Sequence, residues 1–342
     1  MFRGRRASSE RGSSTQPAEP RARSARGERV LAGVSLGPKK RERLQALADL
    51  RGESLEETAE QITANLLRSV PGTMGGYLGV DFSELEIAES GVDHGIPWIR
   101  TEAGRLFYEH PATARDALMY VLLRDRVPAK LGPETLVVAS HVIRRYLHGA
   151  DALPEGTRVA VDAGCYTGLK PLAYADKVGA DGKVVAIEMM PDNYELLTRN
   201  VTENGLSERV ATVHCALSDR TGSVMTRRLR KQQATIADGL DQLQSFGEEC
   251  EVPMNTLANV FDETLDGRTV DFLNVQVNGH ELAVLDGLGH WTDRVRTFSV
   301  TSPYTRDGNP LRDEVEAWFR DRGIAVTDVA ETSVRAEQAL RV

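Results

Sequence analysis

The chain has 342 residues, of which 41% are hydrophobic and 27% charged, an ordinary globular composition with room for a large α/β core and something beside it. A formal net charge of -8 excludes a generally basic surface and argues against nucleic acid as a partner of the whole chain. Cys165, Cys215 and Cys250 lie far apart without a Cys-x-x-Cys pair, which excludes a disulfide framework or zinc knuckle, and no apolar run nears the roughly 18 residues of a membrane span. With no apolar leader either, the expectation is a soluble, cytoplasmic protein without membrane contact.

Residues 1–29 hold eight arginines and three glutamates among Ser, Pro and Gly, with almost no apolar side chains, so a disordered, solubilising tail is expected. The run Val30-Leu31-Ala32-Gly33-Val34-Ser35-Leu36 is β-prone. A helix from about Pro38 carries Leu44, Leu47 and Leu50 at helical spacing and stops at Gly52. Ser54 and Glu57 then form a capping box for a second helix with Leu55, Thr58, Ala59, Ile62, Leu66 and Leu67 on one side. This strand-helix-helix order over residues 30–68, within a module of 30–70, resembles the ribbon-helix-helix fold, which dimerises by pairing its strands. The resemblance implies a homodimer. The outward positions Leu31, Gly33 and Ser35 offer bases few hydrogen-bonding groups, and Glu56 and Glu57 would face phosphate. A plain helical hairpin packed on the rest of the chain is the alternative.

From residue 70 to 111 the chain is glycine-rich and poorly periodic, with Pro71-Gly72, Gly75-Gly76 and Gly95, and reads as a linker with short elements. Two amphipathic stretches follow, about 112–126 and 133–147, making residues 71–150 a linker and helical cap. The fold class expected is therefore α/β, a large domain over 151–342 preceded by a small, mainly helical region.

The large domain opens on Val159-Ala160-Val161-Asp162-Ala163-Gly164, an apolar strand ending at an acid and a glycine. Gly168 and a helix over about 170–178 follow. In an open α/β sheet a ligand sits beyond the carboxyl ends of the strands, where glycines let the backbone come close to it. The next strand, Lys183-Val184-Val185-Ala186-Ile187, ends in Glu188, an acceptor for two vicinal ribose hydroxyls. A turn of type Asp-x-Gly-x-x-x-Gly, rather than Gly-x-Gly-x-x-Gly, suits a cofactor without a pyrophosphate. A third strand over 210–214 leads into Cys215-Ala216-Leu217-Ser218-Asp219, where an adenine edge is expected and Asp219 can accept from its amino group.

Over about residues 157–300 the chain resembles the FkbM-type family of S-adenosylmethionine-dependent methyltransferases. The matching segments are VAVDAGCYTG, GKVVAIEMMPDNYELLTRNVTENGL, ATVHCALSDRTG and VDFLNVQVNGHELAVLDGL. The resemblance implies a Rossmann-like class I methyltransferase sheet of seven strands with a reversed last hairpin and helices on both faces. It implies methylation of an oxygen, commonly a hydroxyl on a sugar, polyketide or other small-molecule acceptor. Asp162, Gly164, Gly168 and Glu188 match the family's cofactor positions for S-adenosylmethionine, and Ala216 to Asp219 its adenine-side loop.

The departure lies in the fourth strand. Where the family usually has Lys-x-Asp-x-Glu-Gly-x-Glu, this chain has Asn274-Val275-Gln276-Val277-Asn278-Gly279-His280-Glu281, three amides in place of three charges. Strand alternation would put Asn274, Gln276 and Asn278 on one face, a costly polar stripe unless it is hydrogen-bonded or lines a site. As candidate catalytic residues Gln276 and Asn278 can orient a hydroxyl but cannot take its proton, whereas His280 can act as a general base or simply start a helix. Methyl transfer depends mainly on in-line approach, so weak base assistance does not exclude it. Two functions stay open: an O-methyltransferase, and a non-catalytic cofactor-binding or regulatory protein dimerised through its N-terminal module. A nicotinamide-dependent dehydrogenase is a third. The insert over 221–255 carries Arg227, Arg228, Arg230 and Lys231, either a lid favouring anionic substrates or a solvated surface. His94, His110, His141, His148, His214 and His290 show no metal-ligand spacing, and no metal site is expected.

Overall fold

Seven strands build the central sheet: β1 (Val159–Ala163), β2 (Lys183–Glu188), β3 (Val210–His214), β4 (Val270–Val275), β5 (Val295–Thr301), β6 (Ala325–Val329) and β7 (Ser333–Glu337). Their spatial order is 3-2-1-4-5-7-6, parallel throughout except for β7, which runs against both β5 and β6. Five helices accompany them: α1 (Leu169–Lys177), α2 (Pro191–Glu203), α3 (Leu257–Thr264), α4 (Glu281–Asp286) and α5 (Leu311–Asp321). The computed structural model describes residues 30–31, 34–35, 38–55, 57–58, 80–112, 116, 120, 126–230, 233–237, 239–240 and 249–340.

The central strands are continuous apolar runs because a parallel sheet is covered on both faces. Successive residues separate onto those faces with period two. Ala160, Val184, Ala186 and Phe272 pack with Leu172 of α1 and Leu197 of α2, whereas Val161, Val185, Leu273 and Val275 pack with Phe261, Trp291 and Phe319. Each full burial of such a side chain contributes about 1.5–3 kcal/mol. Both cores lie under the carboxyl ends of β1, β2 and β4, and so hold those ends in fixed register, with Asp162 opposite Asn274.

Residues 80–112 correct the linker expectation. They hold a three-stranded antiparallel meander, Ile87–Asp93, Ile96–Thr101 and Leu106–Tyr108. Gly95 and Gly104 are tight-turn residues with φ of 82° and 85°, a conformation glycine adopts without a Cβ penalty. Ile99 and Phe107 enter the same core as Phe272, so this region belongs to the body of the domain. Two asparagines of α2 and its end fasten it. Tyr108 N donates to Asn200 Oδ1 at 2.7 Å and Asn200 Nδ2 donates back to Tyr108 O at 3.0 Å, while Asn204 repeats the exchange at Leu106. The helix Pro133–His141 continues as π-helix over Val142–Leu147 and leads into β1.

Further upstream, the helix Pro38–Arg51 ends at Gly52 with φ 64°. The capping box is formed: Glu57 N donates to Ser54 Oγ at 3.1 Å and Ser54 N donates to Glu57 Oε2 at 2.9 Å. The β-prone run is not one strand but a hairpin, with Val30–Leu31 paired to Val34–Ser35 of the same chain. The tail over 1–29, most of the second helix and Lys231 lie outside the described residues, and the helix expected over 112–126 is described, as helical, only at Asp116 and Tyr120. Among the described residues no helix is long and apolar enough to cross a membrane.

Candidate cofactor and acceptor site

The turn between β1 and α1 is held from two sides. Gly164 N and Cys165 N both donate to Ile187 O at the end of β2, at 2.9 and 3.0 Å, and Gln276 N donates to Ala163 O at 2.9 Å. Gly164 has φ 84°, and a Cβ there would stand 2.1 Å from Gln276 O, so no side chain fits. Gly168, with φ 83°, is the residue before α1, and its missing Cβ makes room for Leu197. Both sequence-marked glycines thus serve the close packing of the turn against β4 and α2.

Asp162 and Glu188 sit at the ends of β1 and β2, both buried. Asp162 Oδ1 accepts from Asn274 Nδ2 at 2.7 Å, and Oδ2 is buried with no hydrogen-bond partner. Burial pushes its carboxyl above the ordinary range, against the opposing pull of Lys170, Asn274 and Arg145. Glu188 accepts from Met190 N at 2.9 Å, Asn193 Nδ2 at 3.1 Å and Tyr166 N at 2.9 Å. Burial raises this carboxyl too, more than those three bonds lower it. Since a carboxylate offers about four acceptor positions, room remains for one ligand hydroxyl rather than the pair read from the sequence. These groups fit S-adenosylmethionine: an orphan buried carboxylate oxygen for a cation and a strand-end acid for a ribose hydroxyl.

After β3 the chain forms a second short strand, Ala216–Leu217, pairing in parallel with Cys250–Asn255 of the insert. Gly222–Arg230 pairs with the other edge of that strand, and Gln233–Thr235 lies outside it. Ala216 is buried, whereas Asp219 is exposed and accepts from Ser218 Oγ at 3.0 Å. Ser218 Oγ also meets His280 Nε2 at 3.1 Å. His280, the residue before α4, therefore ties the end of β4 to the Ala216–Asp219 loop.

The single polar face expected over residues 274–278 does not form. β4 ends at Val275, and Asn278 turns into the left-handed region at φ 56°, which breaks the alternation. Asn274 is buried against Asp162, and Gln276 is exposed beyond the strand. Asn278 is bonded to the insert and to the loop after β5. Its Nδ2 donates to Ala234 O at 2.9 Å, its carbonyl accepts from Thr235 Oγ1 at 2.8 Å, and Tyr304 Oη donates to its Oδ1 at 3.2 Å. The one charge of the segment, Glu281, is buried and accepts from Val277 N, Gly279 N and Ser302 Oγ at 3.0–3.2 Å, so it staples the β4–α4 turn.

Sequence reading missed a polar cluster behind the glycine turn. Glu109, fully buried, accepts from His110 N at 2.9 Å, Thr167 Oγ1 at 3.1 Å and, at 2.8 Å, meets His141 Nδ1. Burial alone would raise the Glu109 carboxyl, but the charge and hydrogen bond of His141, with help from His110, bring it down to about 2. His110 Nε2 in turn meets Asn193 Oδ1 at 2.7 Å, which links the cluster to Glu188. The signal was faint: an acid and a histidine side by side in a stretch rich in glycine.

A 3-2-1-4-5-7-6 sheet with its seventh strand reversed, and acids ending its first two strands around a glycine turn, defines the class I methyltransferase fold. Residues 162–324 match the family model described as the methyltransferase FkbM domain. Methyltransferase sdnD of Sordaria araneosa is 28% identical over 200 residues, spanning 49% of this chain and 73% of the relative. Among solved structures, methyltransferase FkbM from Methylobacillus flagellatus is 14% identical with a TM-score of 0.38, covering 66% of this chain and 59% of that one. M. capricolum TrmK in complex with S-adenosyl-homocysteine is 10% identical with a TM-score of 0.34, covering 57% and 68%.

Proposed function

We propose that the chain binds S-adenosylmethionine and methylates a hydroxyl of a small metabolite. The observation that carries the reading is the pair of buried strand-end acids, Asp162 with a free oxygen and Glu188 with one acceptor position left, on either side of the glycine turn. Bound there, S-adenosylmethionine would supply an electrophilic methyl group. The protein's part is to hold the acceptor in line with that methyl and to exclude water, which can supply most of the rate. The family match supports methyl transfer; oxygen as the methylated atom is the expectation the resemblance brings.

A second reading has its own observation. Asn278 and His280 are both engaged in bonds between elements, so the β4 end is fastened rather than poised for proton transfer, as in a binding protein that keeps the fold. The full chain incubated with methyl-labelled S-adenosylmethionine and a metabolite extract of its source separates the two. Labelled product is expected, and none across a broad extract leaves the binding reading. His280→Ala checks the histidine: a tie between loops loses stability with turnover per folded molecule within about three-fold, whereas a general base loses about 100-fold or more at unchanged stability.

A further inference from the structure

S-adenosylmethionine carries two cationic groups, an ammonium and a sulfonium, and a single anion, its carboxylate. The carboxyl ends of β1 and β2 offer Asp162 and Glu188, with Glu109 close behind the turn, so a carboxylate entering there meets like charge unless cations stand ready. Two do. Arg145, on the π-helical segment before β1, places its guanidinium carbon 4.8 Å from the centroid of the Tyr166 ring, in the middle of the glycine turn. Lys170 lies in the first turn of α1, directly after that turn. Gly149 stands between them: a Cβ there would lie 1.8 Å from Arg145 O, which closes the turn after the Arg145 segment, and 3.2 Å from Lys170 Cγ at the start of α1.

Neither cation has an ion pair or a hydrogen bond among the described residues. Other arginines of the domain do: Arg105 is paired with Asp176, Arg199 with Asp93, and Arg209 donates to the carbonyls of Ala175 and Gly179. Both unpaired charges are felt by Asp162, whose buried Oδ2 has no partner of its own. Two free cations and one free carboxylate oxygen around one turn complement an amino-acid zwitterion. Resting on the reading that the cofactor is S-adenosylmethionine, we propose that Arg145 and Lys170 form the subsite for its carboxylate.

Calorimetry with the full chain tests this, using S-adenosylmethionine and its decarboxylated form, which keeps the nucleoside, sulfonium and ammonium. The wild type is expected to bind the carboxylate-bearing ligand at least about ten-fold more tightly, the effect of one or two charge-assisted hydrogen bonds. Arg145→Gln and Lys170→Gln are each expected to weaken S-adenosylmethionine about ten-fold while leaving the decarboxylated ligand within about two-fold. Equal losses for both ligands, or no loss for either, overturn the assignment, as does a wild type that fails to discriminate. A wild type that binds S-adenosylmethionine without discrimination sinks this subsite alone, whereas one that binds neither ligand sinks the cofactor reading with it.

Discussion

Glu109→Ala is expected to lower the unfolding free energy by about 3–5 kcal/mol, the cost of stripping one partner from a buried ion pair. The carboxylate holds His141, Thr167 and the backbone of His110 at once, and through His110 and Asn193 it is joined to Glu188. Its removal leaves a partly buried imidazole and a buried hydroxyl without their acceptor, at the seam where residues 109–141 meet the glycine turn. The same group sets an acid limb. Its carboxyl lies at about 2 in the folded chain against an ordinary 4.5, so ionised Glu109 favours the native state at every pH above about 4.5. That contribution, on the order of 3 kcal/mol, is lost as pH falls from about 4.5 towards about 2, because the unfolded chain takes up the proton first. Urea titrations at pH 7 and pH 3 measure both effects. Wild type should lose much of its margin at pH 3, and Glu109→Gln should lose less between the two. A loss under about 1 kcal/mol for Glu109→Ala would show that the cluster is ornamental.

Glu188→Ala is expected to weaken S-adenosylmethionine by about 100-fold or more. Two causes add. The ribose loses its acid acceptor, and Tyr166 N, Met190 N and Asn193 Nδ2 lose the carboxylate that fixes the turn and the start of α2. A buried donor left without a partner costs about 1–3 kcal/mol, and three are released here. Asp219→Ala is the contrasting control. That side chain is exposed, so its loss should change the affinity by no more than about three-fold. Calorimetry on both variants reads the difference, and an affinity for Glu188→Ala within about three-fold of wild type would remove Glu188 from the site.

The sheet was legible where burial on both faces writes an unbroken apolar run closed by an acid, as at Asp162 and Glu188. β3, read as residues 210–214, has those same bounds in the structure. The meander at residues 87–108 was not legible, because Gly95 and Gly104 are hairpin turns that resemble linker glycines until their strands are seen to pair. Nor was the Glu109 cluster, whose partners His141 and Asn193 lie 32 residues from Glu109 and 83 from His110. Spacing rules read neighbours within one element and are blind to contacts made by folding. At Asn278 the period-two rule failed for a local reason: the strand had already ended, and a left-handed residue followed.

Titrating the full chain with S-adenosylmethionine and, separately, with NAD tests cofactor use most directly. One saturable site per chain for S-adenosylmethionine and no heat with NAD is the expected result, because Asp162, with a free buried oxygen, and Glu188 flank the glycine turn as acids for a cationic ligand with a ribose. Binding of NAD alone would contradict it.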